Sequence, residues 1–248
     1  MFNLVVNGCL GRMGKEVVKQ SENFKDLSLV AGVDIKPDPY SEFPVFVDVN
    51  DLNSLVDVIV DFSRPESTME VLEFAKYNNI AVVIATTGFS KEQEEAIKEY
   101  SEYIPIFKSA NMSFDVSLMC KIVSDVAKML SNNDIEIIET HHNKKVDAPS
   151  GTALLLADSI NKALNNEMKY VYNRHDLHEK RNPNEIGISS IRGGNIVGEH
   201  TVKFFGPFET FEIKHTSYSR SVFAEGALKA ACFVADKPAG LYSMNDLI

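Results

Sequence analysis

Residues 3–14 read Asn3-Leu4-Val5-Val6-Asn7-Gly8-Cys9-Leu10-Gly11-Arg12-Met13-Gly14, a short apolar run that ends in three glycines within seven positions. Leu4 to Val6 suit a buried strand, because they are bulky, partly β-branched and uninterrupted by charge. The glycines remove Cβ where the chain must turn sharply, and a helical pattern takes over at Lys15. A strand that passes through such a loop into a helix turns the unpaired amides of the helix start toward an anion. A pyrophosphate fits that arrangement. The spacing alone also describes an ordinary strand-to-helix turn, so the remainder of the chain must decide.

Asp34 closes the next strand-like run, twenty residues after Gly14. At that place an acidic side chain accepts hydrogen bonds from an adenosine ribose. Lys36, close behind, is placed to neutralise a 2′-phosphate, so NADH and NADPH are both expected as cofactors. Ala85-Thr86-Thr87-Gly88-Phe89 and Ser109-Ala110-Asn111-Met112 follow two further strand-like runs. They therefore fall at the carboxyl edge of the same expected sheet, where open α/β proteins take ligands, although Thr, Ser and Asn are also ordinary turn and cap residues.

Up to about residue 110, Val- and Ile-rich runs (3–7, 28–33, 58–62, 81–85 and 104–107) alternate with helical segments at 15–21, 67–77 and 92–103. That rhythm predicts a doubly wound α/β domain of Rossmann type, with a parallel sheet covered on both faces. Turn-rich stretches at 36–40 and 180–184 read as loops. After about residue 112 the rhythm changes. A helix over 115–130 precedes a strand at 135–139 and a helix over 152–164. Strand-like runs between 186 and 216 follow, including 196–205 and 209–215, and a helix over 222–235 comes last. Phe211 and Ile213 alternate with Glu212 and Lys214, as expected for a sheet with unlike faces in a smaller α+β domain.

With 248 residues, 44% of them hydrophobic, the chain can bury a sizeable core in one or two domains. The net charge of -10 opposes nucleic-acid binding, which needs a surplus of Lys and Arg. Cys9, Cys120 and Cys232 are odd in number and far apart, which suits buried free thiols in a reducing compartment. No apolar run is long enough to span a membrane and the first residues lack the features of a signal peptide. The protein is thus expected in the cytoplasm, with neither membrane nor nucleic acid as a partner.

The chemistry concentrates in Glu139-Thr140-His141-His142-Asn143-Lys144-Lys145-Val146-Asp147-Ala148-Pro149-Ser150-Gly151-Thr152-Ala153-Leu154. Two imidazoles and two amines fall within five residues, just before a helix that Ser150 can cap. The amides of Gly151 and Thr152 open that helix and suit a carboxylate. A basic solvated loop before a capped helix is the plainer interpretation. The density of proton donors, in a chain that is acidic overall, favours acid/base work. No metal is expected: His141 and His142 are adjacent and lack a metal-binding partner pattern, and His175 and His178 have no third ligand nearby.

These stretches, together with Ile191-Arg192-Gly193-Gly194-Asn195-Ile196-Val197-Gly198-Glu199-His200-Thr201-Val202, resemble the dihydrodipicolinate reductase family over nearly the whole chain. The run H-H-x-x-K-x-D-A-P-S-G-T carries most of that specificity. The resemblance implies a nucleotide domain of residues 1–112 and 221–248, and a substrate and tetramerisation domain with a mixed sheet over 113–220. It implies an NAD(P)H-dependent reduction of a dicarboxylate, 4-hydroxy-tetrahydrodipicolinate, on the diaminopimelate route to lysine, by a homotetramer. The cofactor would be held by Gly8, Cys9, Leu10, Gly11, Arg12 and Met13, by Asp34, by Ala85, Thr86 and Thr87, and by Ser109, Ala110, Asn111 and Met112. His141 would be the acid/base residue and Lys145 a proton donor, while His142, Ser150, Gly151 and Thr152 would meet the substrate. Ala85 stands where many members carry glycine. Ile35 stands where some carry an arginine, which leaves the choice of coenzyme open. Another Rossmann-type dehydrogenase would explain the first 110 residues equally well, and a non-catalytic NAD(P)H sensor would need only the loop and Asp34. Neither accounts for the His-His-Lys-Ser-Gly-Thr cluster.

Overall fold

The computed structural model describes residues 1–52, 55–172, 174, 175 and 177–248. In chain order the elements begin with β1 (Phe2–Asn7), α1 (Arg12–Ser21), β2 (Leu27–Val33), β3 (Val45–Phe46), β4 (Val58–Asp61), α2 (Pro65–Asn78), β5 (Ala81–Ile84), α3 (Lys91–Ser101) and β6 (Pro105–Lys108). They continue with α4 (Phe114–Met129), β7 (Asp134–His141), α5 (Gly151–Ala163), β8 (Lys169–Val171), β9 (Glu185–Arg192), β10 (Gly198–Phe205) and β11 (Thr210–Ser217). The last are α6 (Ser221–Val234) and β12 (Gly240–Tyr242). The chain divides into two compact units, Met1–Phe114 with Arg220–Ile248, and Asp115–Ser219.

The first unit carries a seven-stranded, wholly parallel sheet in the order β12-β6-β5-β4-β1-β2-β3. Its central strands are apolar at successive positions because both faces are covered. Leu4, Val6, Val58, Val60 and Val83 pack on one side with Ala227, Leu228 and Ala231 of α6. Val5, Ile59, Val82 and Ile84 pack on the other with Val71 and Leu72 of α2 and Ile97 of α3. Each such side chain contributes roughly 1.5–3 kcal/mol when fully buried, so the two layers hold the sheet edge in place. Strand order reverses between β1 and β4. The loop after β1 therefore opens at the crevice where the two halves of the sheet diverge.

The second unit is a mixed five-stranded sheet in the order β11-β10-β7-β9-β8, as expected for a sheet with unlike faces. Ile135 and Ile137 of β7, Ile186 and Ile188 of β9, and Val202 and Phe204 of β10 form one apolar face. Met119, Val123 and Ala127 of α4 cover it together with Ala153, Leu156 and Ile160 of α5. The sequence reading did not include β3, β8 and β12. They are two or three residues long, too short for any periodicity to register. The three cysteines are free, but only Cys9 is fully buried; Cys120 and Cys232 are half-buried.

Candidate active site

The loop after β1 is shaped by close backbone approach. Gly8 has φ +77°, and a Cβ there would meet the Phe62 carbonyl oxygen at 2.5 Å. A Cβ on Gly14 would overlap the Gly8 carbonyl, so α1 can start directly against the loop only with glycine at that position. The Gly11 amide donates to Gly8 O at 3.0 Å. Gly11 is also the N-cap of α1 and supplies no side-chain acceptor, so the first amides of the helix are not capped from within. That is the arrangement a phosphate oxygen would complete, and the residues present fit a dinucleotide.

A cleft of about 490 Å³ lies along this loop, lined by Gly8, Leu10, Gly11, Asp34 and Lys36 among others. Asp34 also stiffens the loop. Its Oδ2 accepts from the Leu10 amide and its Oδ1 from the Ile35 amide, both at 2.8 Å. A carboxylate oxygen has a second lone-pair site, so each remains able to receive a ribose hydroxyl. Cys9 points the other way. Its Sγ packs under Gly32, and burial, aided by the charge of Asp34, pushes the thiol up to about 11. Only the backbone of Cys9 is presented on the loop side. Arg12 is exposed on the first turn of α1, while Met13 packs against the core. A second groove, about 1030 Å³ between α2 and α3, holds Lys76 over the Tyr103 ring and contains none of the expected residues.

Ala85 is half-buried and Thr87 exposed. Thr86 is buried, and its hydroxyl donates to Asp61 Oδ2 at 2.9 Å while accepting the Ser63 amide at 2.9 Å. Asp61, fully buried at the end of β4, is a residue that sequence reasoning missed. It also accepts from Asn7 Nδ2 at 2.8 Å, Ser63 Oγ at 2.5 Å and Thr68 Oγ1 at 2.5 Å. Burial pushes its carboxyl up, against those hydrogen bonds. The available signal was an acid closing an otherwise apolar strand, Val58-Ile59-Val60-Asp61. One side chain thereby ties together the ends of β1, β4 and β5, and Asn7 and Ser63 also line the cleft. Ser109 and Asn111 close a local turn: Ser109 Oγ donates to Asn111 O at 2.7 Å, and Asn111 Oδ1 accepts the Ser113 amide at 2.9 Å. Ala110 is exposed, whereas Met112 is buried in the core beneath Gly226 of α6.

In the second unit the polar cluster stands at the end of the apolar face. Along β7 the side chains Ile135, Ile137, Glu139 and His141 alternate onto one side, and Glu139 pairs across the sheet with His200, itself opposite His215. Glu139 is wholly buried and saturated. It accepts from Arg192 Nη2 at 2.7 Å and Ser150 N at 3.1 Å on Oε1. On Oε2 it accepts from Arg192 Nη1 at 2.8 Å and meets His141 Nδ1 at 2.5 Å. Burial alone would raise its carboxyl, but hydrogen bonds from Arg192, Ser190 and His141 outweigh it and bring the group down to about 2. His141 is held below its ordinary range by burial, with Lys145 and Arg192 adding to the effect and Glu139 opposing it. His200, whose ring stands edge-on to His141 with centroids 5.2 Å apart, is pushed down to about 4, chiefly by burial.

Ser150 caps α5 as expected, accepting from the Ala153 amide at 3.1 Å, and its hydroxyl also meets His200 Nε2 at 2.9 Å. Gly151 is exposed at the helix start and Thr152 half-buried beside it. The His142 amide donates to Ile196 O at 2.7 Å, and the Asn143 amide to Gly194 O at 3.2 Å, pinning the basic loop to the turn between β9 and β10. Lys145 Nζ lies 2.8 Å from Asp147 Oδ1. His141, His142, Lys145 and Ser150 thus belong to one end of one sheet, and Glu139, Arg192 and His200 join them. Arg192 lies 53 residues along the chain from Glu139, and His200 lies 50 from Ser150, beyond the reach of local spacing. Among the described residues, no group of three or more His, Cys, Asp or Glu is placed to hold a metal, and no helix is long and apolar enough to cross a membrane.

Known proteins match this chain over its full length. The family description "Dihydrodipicolinate reductase, N-terminus" matches residues 2–112, and "Dihydrodipicolinate reductase, C-terminus" matches residues 115–248. A 4-hydroxy-tetrahydrodipicolinate reductase of Clostridium novyi is 48% identical over 249 residues, covering 100% of this chain and 98% of that protein. One from Caldanaerobacter subterraneus is 48% identical over 248 residues, with the same coverage. The dipicolinate-bound dihydrodipicolinate reductase of Paenisporosarcina sp. TG-14 superposes with a TM-score of 0.84 at 28% identity, covering 100% of both chains. With both halves of the chain matched in order and relatives near half-identical end to end, the chain belongs to the dihydrodipicolinate reductase family.

Proposed function

We propose that this protein reduces 4-hydroxy-tetrahydrodipicolinate to tetrahydrodipicolinate, with loss of water, using NADH or NADPH. The observation that carries the reading is the cluster at the end of β7, where His141 and the capped start of α5 share a buried, neutralised carboxylate, and Lys145, paired with Asp147, adds its charge beside the His141 ring. A nucleotide loop alone would suit many dehydrogenases or a sensor; this cluster supplies the proton chemistry they leave unexplained.

In this reading the nucleotide domain is residues 1–112 with 221–248, and residues 113–220 bind the substrate and form the tetramer. Gly8 to Met13 hold the pyrophosphate, Asp34 the ribose and Lys36 a 2′-phosphate. Residues 85–87 and 109–112 border the nicotinamide end. The coenzyme supplies the hydride. Hydride addition to a conjugated cyclic imine leaves an electron-rich carbon that must be protonated, so a positioned acid is required. Lys145 and His141 fill that role, and the dianionic substrate favours their charged forms as it binds. His142, Ser150, Gly151 and Thr152 receive a carboxylate at the start of α5, which fixes the face offered to the hydride. The protein works as a cytoplasmic homotetramer, joined through the sheet of the second unit.

The test is steady-state oxidation of NADH and of NADPH with the product of dihydrodipicolinate synthase as substrate. Turnover with either coenzyme is expected, and no turnover with both overturns the reading. Sedimentation at micromolar concentration tests the tetramer, and a stable monomer contradicts it.

A further inference from the structure

The proton chemistry of His141 and Lys145 leaves one fully buried charge without a role. Glu139 has no exposure to solvent, yet it organises three different segments. Arg192 of β9 grips both of its oxygens, the Ser150 amide ahead of α5 donates to one, and His141 of its own strand meets the other. A buried carboxylate persists in its charged form only when its lone pairs are filled and its charge compensated, and the two-pronged guanidinium does both. An ionised carboxylate can only accept hydrogen bonds. The ring nitrogen that faces it at 2.5 Å must therefore carry a proton.

We propose that Glu139, clamped by Arg192, is the positioning residue of the site. It holds His141 as the tautomer protonated on Nδ1, so that Nε2 is the atom through which the imidazole exchanges protons with the substrate.

The surroundings of the ring fit that assignment. Nε2 lies above Gly198 of β10, 3.1 Å from where a Cβ would stand, so the missing side chain leaves this nitrogen room. The charged and titratable groups around His141 are Glu139 on β7, Lys145 and Asp147 on the following loop, Arg192 on β9, His200 on β10 and His215 opposite it on β11. At the ring, Lys145 and Arg192 work against the charge of Glu139, and the hydrogen bond from Glu139 counts for more than its charge, so the carboxylate acts on His141 first as an oriented acceptor. Burial then keeps the ring neutral. His141 at neutral pH therefore presents a bare Nε2. The Ser150 amide bond extends the control of Glu139 to the first turn of α5, where a substrate carboxylate is expected.

The inference rests on the reading of His141 as the acid/base residue, but its first test does not. Nitrogen-15 spectra of the imidazoles in the full-length protein, with His141 assigned from His141→Gln, should show Nδ1 protonated and Nε2 bare at pH 7. An Nε2-protonated ring, or an imidazolium, overturns the proposal whether or not the protein is a reductase. The second test is Glu139→Gln, whose amide offers a donor as well as an acceptor. The ring should become a mixture of tautomers, and its titration should move to lower pH, because Arg192 and Lys145 then act without the carboxylate. Turnover should fall about 10²-fold with NADH binding unchanged. An unaltered tautomer in the variant overturns the role of Glu139. Should the variant fail to fold, the wild-type spectrum and Glu139→Asp, which keeps the charge but shortens its reach, decide the question by the same tautomer signal.

Discussion

The loop after β1 and the cluster at the end of β7 both stand where strands end, yet they are made of opposite materials. The loop is backbone: Gly8, Gly11 and Gly14 define it by what they lack, and its polar groups are amides. The cluster is side chain: a carboxylate, a guanidinium, two imidazoles and an ammonium, most of them buried, drawn from three strands and a loop. A backbone site is intolerant of added atoms and indifferent to pH. A side-chain site tolerates small changes of volume but depends on every charge keeping its partner.

The largest effects are expected where the cluster does chemistry. Lys145→Ala and His141→Ala should each lower turnover by roughly 10²-fold or more at saturating substrate, without altering NADH affinity in a binding titration. His142→Ala should instead raise KM with a smaller loss of turnover. Full turnover in both Lys145→Ala and His141→Ala would remove the acid/base site from the second unit, leaving only the nucleotide loop as function.

Acid should separate the two regions next. Glu139 is held at about 2 against an ordinary 4.5, so its stabilisation is complete above pH 4.5 and disappears as the pH falls toward 2. His200 is held neutral to about 4 against 6.5, so its share is complete above pH 6.5 and disappears as the pH falls toward 4. Each amounts to about 3 kcal/mol, since every tenfold change in proton affinity is worth roughly 1.36 kcal/mol. Asp61 in the first unit has the opposite sign: burial raises its carboxyl, so its contribution weakens as the pH rises. Urea midpoints followed against pH should show a smaller slope between pH 6.5 and 4 in His200→Gln, where His141 retains its share, and a slope no smaller than wild type in Asp61→Asn, which removes a group of opposite sign. An identical slope in wild type and His200→Gln would refute the assignment to His200.

The loop should be broken by bulk alone. Gly14→Ala places a methyl group on the Gly8 carbonyl, an overpacking expected to destabilise by about 1–3 kcal/mol and to weaken both coenzymes. A thermal midpoint and NADH affinity equal to wild type would show that α1 can slide away from the loop. The smallest effect is electrostatic and exposed: Lys36→Glu should weaken NADPH more than NADH, by about 5- to 30-fold at low salt. Equal losses for the two coenzymes would contradict a phosphate contact.

The sequence made the first region legible because its rules are local. Glycine spacing, the apolar run before it and Asp34 twenty residues later sit within one βαβ unit, and the structure places Gly8, Gly11, Asp34 and Lys36 along one cleft. His141, Lys145 and Ser150 were equally visible, since they share a single run. Short edge strands such as β8 and β12 were not, because three residues show no period and their pairing comes entirely from a neighbour.

Taken by itself, the order of residues determined the alternation that makes a doubly wound sheet, the glycine loop, the loop of His and Lys ahead of a capped helix, and membership of the family that carries that run. Only the folded chain decided what stands behind those residues. Asp61 gathers Asn7, Ser63 and Thr86 from three strand ends and Thr68 from α2, and Glu139 gathers Arg192 from fifty-three residues away. The physical reason is burial. A carboxylate in a sequence is an ordinary soluble charge, and it becomes a positioning group only when the fold removes its water and supplies donors from distant strands in exchange.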